Sequence, residues 1–154
     1  DPGTDLMARA VLALGANIGE PAHQIAKAIE AIVGHPQIFL LKQSALIVSE
    51  PWGKTDQNPF HNGAVLIETT LAPLELLDFC LATEAEIGRV RIEKWGPRSI
   101  DIDVITYDDV TMESERLTLP HPYAHERDFV LGPVREIAPD MADWLLNQAG
   151  RKSA

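Results

Sequence analysis

The sequence predicts an α+β domain. An antiparallel sheet in the order strand, helix, strand, strand, helix, strand makes the split βαβ, ferredoxin-like arrangement (βαββαβ). Three observations carry this. Apolar runs of strand length alternate with two segments of helical apolar spacing. Both helical segments open at a proline and close at a glycine. The chain has 154 residues and 45% hydrophobic content, enough for one buried core, and carries no repeat, low-complexity stretch or linker. In this topology both helices lie on one face of the sheet, and long active-site loops and ligand take the other.

Taken in order, residues 1–6 read as a vector-derived remnant ahead of Met7, and 7–154 as a single domain. Ala10–Leu14 is an apolar run that Gly15, Ala16 and Asn17 end as a turn. Pro21 opens a helix to about Val33, with Ile25, Ala28, Ile29 and Ile32 on one face. Ile38 to Val48, rich in Ile, Leu and Val, predicts one strand, and Phe60 to Thr69 another. Between them lies a polar loop from Glu50 to Pro59. Pro73 begins the second helix, in which Leu74, Leu77, Leu81 and Ala85 mark the buried side and Gly88 the end. A strand from Ile100 to about Tyr107 follows, then a small hairpin through Met112 and Leu117–Leu119. Asp128–Ile137 gives a short helix, with one more helical turn around Trp144.

Composition narrows the function. A net charge of −10 argues against a general nucleic-acid or anionic-membrane surface. No apolar run approaches a membrane span and no signal-peptide pattern opens the chain. Cys80 is the one cysteine, so there is no disulfide framework and no thiolate metal site; it reads as core in a reducing cytoplasm. A small anionic substrate fits these numbers, and a monomer is the expected state without being read from them.

The chemistry concentrates between Arg89 and Asp103. Alternation along a strand sends Asp101 and Asp103 to one face and Ile100, Ile102 and Val104 to the other. Two carboxylates side by side disfavour each other unless a cation lies between them, and hard oxygen donors at that spacing suit Mg2+ with substrate phosphates. Arg89, Arg91, Lys94 and Arg98 place four of thirteen basic residues within ten positions, as a bridging polyphosphate would require. The plainer reading is a solvated acidic face beside a soluble loop. Trp52 and Trp95 lie in the two long loops and read as lids over a flat ligand, or as residues tucked into the core rim. Phe60 and Asn62 share a face, so a ring stands beside an amide, a pairing that suits a flat heterocycle. Without further support, Phe60 in the core and Asn62 as a cap is the preferred reading. His121, between two prolines, could donate to a phosphate oxygen or simply be surface. His23, His35, His61 and His125 show no metal-ligand spacing, and no Ser/His/Asp or Cys/His nucleophile arrangement is visible.

The run from Lys94 to Ile105 resembles the signature of the 6-hydroxymethyl-7,8-dihydropterin pyrophosphokinases of folate biosynthesis. The likeness extends through Leu14–Asn17, Asn58–Val65, Gly88–Arg91, Arg116–His121 and Arg127–Leu131. The resemblance implies a ferredoxin-like enzyme that moves pyrophosphate from ATP to the pterin hydroxymethyl group and releases AMP. By the same resemblance, Asp101 and Asp103 are ligands of two Mg2+ ions. Arg89 and Arg98 bind phosphate in the chemical step. Phe60 and Phe129 sandwich the pterin, Asn62 reads its edge, and Ser49, Pro51, Trp52 and Trp95 line its pocket. Glu84, Arg91, Lys94, Arg116, His121 and Arg127 lie with the nucleotide. The competing classes are a nucleotide- or metal-sensing module that consumes no ATP, and a Mg2+-dependent phosphohydrolase that needs no acceptor alcohol.

Overall fold

The computed structural model describes residues 7–49, 59–89 and 100–153. The first strand, β1 (Ala8–Ala16), is the longest apolar run in this part of the chain and is buried along most of its length. The helix α1 (Pro21–Val33) follows with proline in its first turn, and Ile25, Ala28 and Ile32 buried at helical spacing. Next come β2 (Ile38–Gln43), β3 (Ile47–Ser49), β4 (Phe60–Thr69), α2 (Pro73–Arg89) and β5 (Asp101–Tyr107). A small hairpin, β6 (Met112–Glu113) with β7 (Thr118–Leu119), leads through a 3-10 turn at Ala124–Glu126 to α3 (Asp128–Ile137) and α4 (Pro139–Ser153).

The main sheet has the order β2-β4-β1-β5, with β3 also on β4, and every pairing in it is antiparallel. One face carries Leu12, Leu14, Val65, Ile67, Ile102 and Val104 against Ile25 and Ile32 of α1 and Leu76 and Cys80 of α2. Burial of this cluster is the main stabilising term, and truncating one such leucine to alanine costs roughly 2–5 kcal/mol.

Several expectations change. The second face is not left to loops. Val11, Ala13, Ala64, Leu66 and Ile105 are apolar there too, and α3 and α4 cover them through Val130, Val134, Ala142 and Leu145. The tail is correspondingly a 15-residue helix rather than one turn. Its buried stripe is narrow, which hides it in a polar sequence. The strand foreseen from Ile38 to Val48 is broken at 44–46. There the Ser44 hydroxyl accepts the Ala64 amide (2.9 Å) and donates to the Ala45 carbonyl (2.8 Å), replacing ladder bonds. The Glu136 carboxylate of α3 takes the Ala45 amide at 3.1 Å. Gly15 and Ala16 are strand residues, not a turn. The buried stripe of α2 is Leu76, Cys80, Thr83 and Ile87, while Leu81 is 42% exposed and Ala85 lies outside it.

Candidate active site

β5 forms one edge of the sheet, and its sequence sets its two faces. Ile102 and Val104 are buried at 2% and 3%, whereas Asp101 and Asp103 are exposed. The registers place these acids exactly within two cross-strand rows: Asn62–Gly15–Asp101 and Ala64–Ala13–Asp103, each running from β4 through β1 to β5. At about 4.8 Å per strand, Asn62 and Asp101 stand roughly 10 Å apart, one on either side of Gly15.

Along the free edge of β5, between α2 and the β6–β7 hairpin, opens a cleft of about 290 Å3. Glu84, Asp101, Asp103, Arg116 and His121 all line it. Glu84 accepts the Ile102 amide with Oε2 at 2.7 Å, so a carboxylate from α2 holds the strand edge between the two acids. Arg116 pairs with Asp78 of α2. The His121 amide donates to the Ile105 carbonyl at 2.9 Å, which fixes that segment against β5. Its Nδ1 accepts the Tyr123 amide at 3.1 Å, so a neutral ring carries its proton on Nε2. Burial lowers the His121 pKa, with Arg127 adding to the effect and Asp103 opposing it. The neutral donor is therefore the form at neutral pH.

Around the corner, on the face that carries α3, lie the other expected residues. Ser49 pairs with Phe60 across β3 and β4. Phe60 and, in the first turn of α3, Phe129 are 38% and 39% exposed, so neither ring is core. Asn62 is only 7% exposed, and its Nδ2 has no hydrogen-bond partner among the described residues. A buried, unpaired amide donor is costly and points to a ligand. Arg127 precedes α3 with its guanidinium 5.6 Å from the Tyr123 ring centre. Pro51, Trp52, Arg91, Lys94, Trp95, Arg98 and the side chain of Arg89 lie outside the described residues, as do residues 1–6, 50–58 and 90–99 in full.

Leu77 and Leu81 also line the cleft, Leu77 while packing against the core and Leu81 while 42% exposed. The available signal was their offset from the Leu76–Cys80–Thr83–Ile87 stripe. The described residues hold no cluster of three or more His, Cys, Asp or Glu side chains that could seat an ion. What they offer is an oxygen-only pair on β5, and Asp103 enters no hydrogen bond or ion pair among them. That donor set fits Mg2+ completed by phosphate oxygens.

Fold and site together define an α+β domain with an acidic strand edge between a cleft and a buried, unpaired amide. Residues 11–139 match the family 7,8-dihydro-6-hydroxymethylpterin-pyrophosphokinase (HPPK), and the chain belongs to it. A 2-amino-4-hydroxy-6-hydroxymethyldihydropteridine pyrophosphokinase of Methylorubrum extorquens is 50% identical over 88% of this chain and 85% of its own length. The protein of that name from Pseudomonas aeruginosa is 41% identical over 88% and 84%. Among solved structures, a Plasmodium falciparum HPPK-DHPS triple mutant aligns with a TM-score of 0.68 at 16% identity. That alignment covers 86% of this chain and 40% of the longer one, and shows the fold alone.

Proposed function

We propose that this chain transfers pyrophosphate from ATP to the hydroxymethyl group of 6-hydroxymethyl-7,8-dihydropterin, giving the pterin diphosphate and AMP in folate biosynthesis. The observation that carries the reading is the placement of Asp101 and Asp103 in a family member. They stand between a cleft along β5 and the buried, unpaired amide of Asn62. The finer fold class is ferredoxin-like, a reading supported by the strand order β2-β4-β1-β5. A monomer in the cytoplasm is the proposed setting.

The residues divide the work. Asn62 reads the pterin edge, with Phe60 and Phe129 against its faces and Ser49 at the rim. Glu84, Arg116 and Arg127 position the nucleotide, and His121 donates from Nε2 to a phosphate oxygen. Asp101 and Asp103 hold two Mg2+ ions, while Glu84 keeps their strand in place. When bound, Mg2+ supplies charge neutralisation on the phosphates and acidifies the attacking hydroxyl. In the transfer itself the pterin oxygen forms a bond to the β-phosphorus, and the bond from that phosphorus to the α,β-bridging oxygen breaks. AMP leaves with that oxygen, and the hydroxyl proton is released to solvent. Such a reaction asks the protein mainly for position and charge stabilisation. Pro51, Trp52, Arg89, Arg91, Lys94, Trp95 and Arg98 complete the proposed site.

Chromatography of the nucleotides formed from ATP, Mg2+ and the pterin tests this reading. AMP that appears only with the pterin present is the expected result. ADP, or intact ATP, would contradict it.

A further inference from the structure

Gly15 lies within β1, the central strand of the site, where glycine weakens a strand by its entropy and lack of packing. The backbone does not call for it. Among the described glycines only Gly19 has a positive φ, 63°. A Cβ added at Gly15 would stand 2.9 Å from Oδ1 of Asn62, closer than such atoms come. The next neighbours, the His61 carbonyl oxygen at 3.8 Å and Asn62 Cγ at 3.9 Å, are in ordinary contact. Among the described residues, the group that such a Cβ would meet too closely is therefore the Asn62 carboxamide, reaching across from β4. That carboxamide belongs to a buried residue whose Nδ2 has no partner.

We propose that Gly15 is a positioning residue for pterin recognition: its missing side chain lets the Asn62 carboxamide lie across β1 and present Nδ2 to an acceptor on the heterocycle edge. The inference rests on the reading of Asn62 given above. An amide torsion is soft, so a methyl at position 15 would turn or lift the carboxamide before it moved the backbone. Hydrogen bonds weaken steeply with misalignment. Gly15→Ala should then weaken pterin binding roughly tenfold and leave nucleotide binding alone.

A double-mutant cycle tests this on the wild type, Gly15→Ala, Asn62→Ala and the double variant. Pterin Kd is read by pterin fluorescence, with Mg2+-ATP affinity and Tm read alongside. The expected result is roughly tenfold weaker pterin binding in Gly15→Ala, unchanged ATP affinity, and no further loss when Gly15→Ala is added to Asn62→Ala. If Asn62→Ala binds pterin as the wild type does, the reading of Asn62 fails and this inference with it. If Asn62→Ala weakens binding but Gly15→Ala does not, or does so equally in both backgrounds, the positioning role is overturned and the reading of Asn62 stands. Were Gly15→Ala too unstable to assay, the double variant decides. Recovered stability there places the clash at Asn62, and equal instability overturns the proposal.

Discussion

Asn62→Leu separates stability from function at one position. The side chain is 7% exposed and its Nδ2 is unpaired, so the folded apoprotein carries the desolvation penalty of that donor. Such a penalty is about 1–3 kcal/mol, and leucine has nearly the same shape with no polar atom. Replacement should therefore stabilise the apoprotein by about 2 kcal/mol, raising Tm by roughly 4–8 °C for a chain of this size. Pterin binding should fall sharply, because leucine offers the heterocycle no donor. Calorimetry on the apoprotein and fluorescence titration with pterin measure the two effects separately. A lower Tm would show that the amide is already satisfied in solution. A stabilised variant that still bound pterin at wild-type affinity would remove Asn62 from recognition.

Other substitutions probe the rest of the account. Glu84→Ala removes the carboxylate that accepts the Ile102 amide and should lower stability by about 2 kcal/mol and turnover with it; an unchanged melt and rate would refute a strand-holding role. Asp103→Ala should abolish turnover while circular dichroism stays native, and near-normal turnover would sink the metal assignment. Leu81→Ser, at a 42% exposed position, should leave Tm within about 2 °C yet raise KM for ATP, whereas a large loss of stability would return Leu81 to the core. Burial, with Glu84 and Asp103 adding to it, pushes the Cys80 thiol from 9.0 up to about 12. The folded pKa is raised, so its contribution to stability is whole below pH 9 and is lost as pH rises towards 12. Ellman's reagent at pH 8 should react with Cys80 only after denaturant is added; fast reaction in the native state would contradict its burial.

Much of the fold was legible because single strands and helices obeyed one period each. Pro21–Val33 and Phe60–Thr69 matched to the residue. The alternation of Ile102 and Val104 with Asp101 and Asp103 placed the acids correctly on an exposed face. Misreadings arose where two surfaces compete for one element. Helix α2 carries apolar residues both for the core and for the cleft, so Leu81 reads as part of the buried side that Leu74 and Leu77 do join. Helix α4 buries little more than Ala142 and Leu145, and so gives a weak periodic signal. The break at 44–46 depends on a serine hydroxyl and on Glu136, 91 residues further on, which no local pattern reveals. Gly15 looked like a turn because its real constraint is the Asn62 side chain on another strand.

The central claim, pyrophosphoryl transfer from ATP to the pterin, is tested most directly by isotope position. ATP labelled with 32P at the β-phosphorus is incubated with the protein, Mg2+ and 6-hydroxymethyl-7,8-dihydropterin, and the pterin product is isolated. The expected result is a β label that moves to the pterin, leaving unlabelled AMP behind. A β label retained in ADP would show that only the terminal phosphoryl group moves, and would contradict the account.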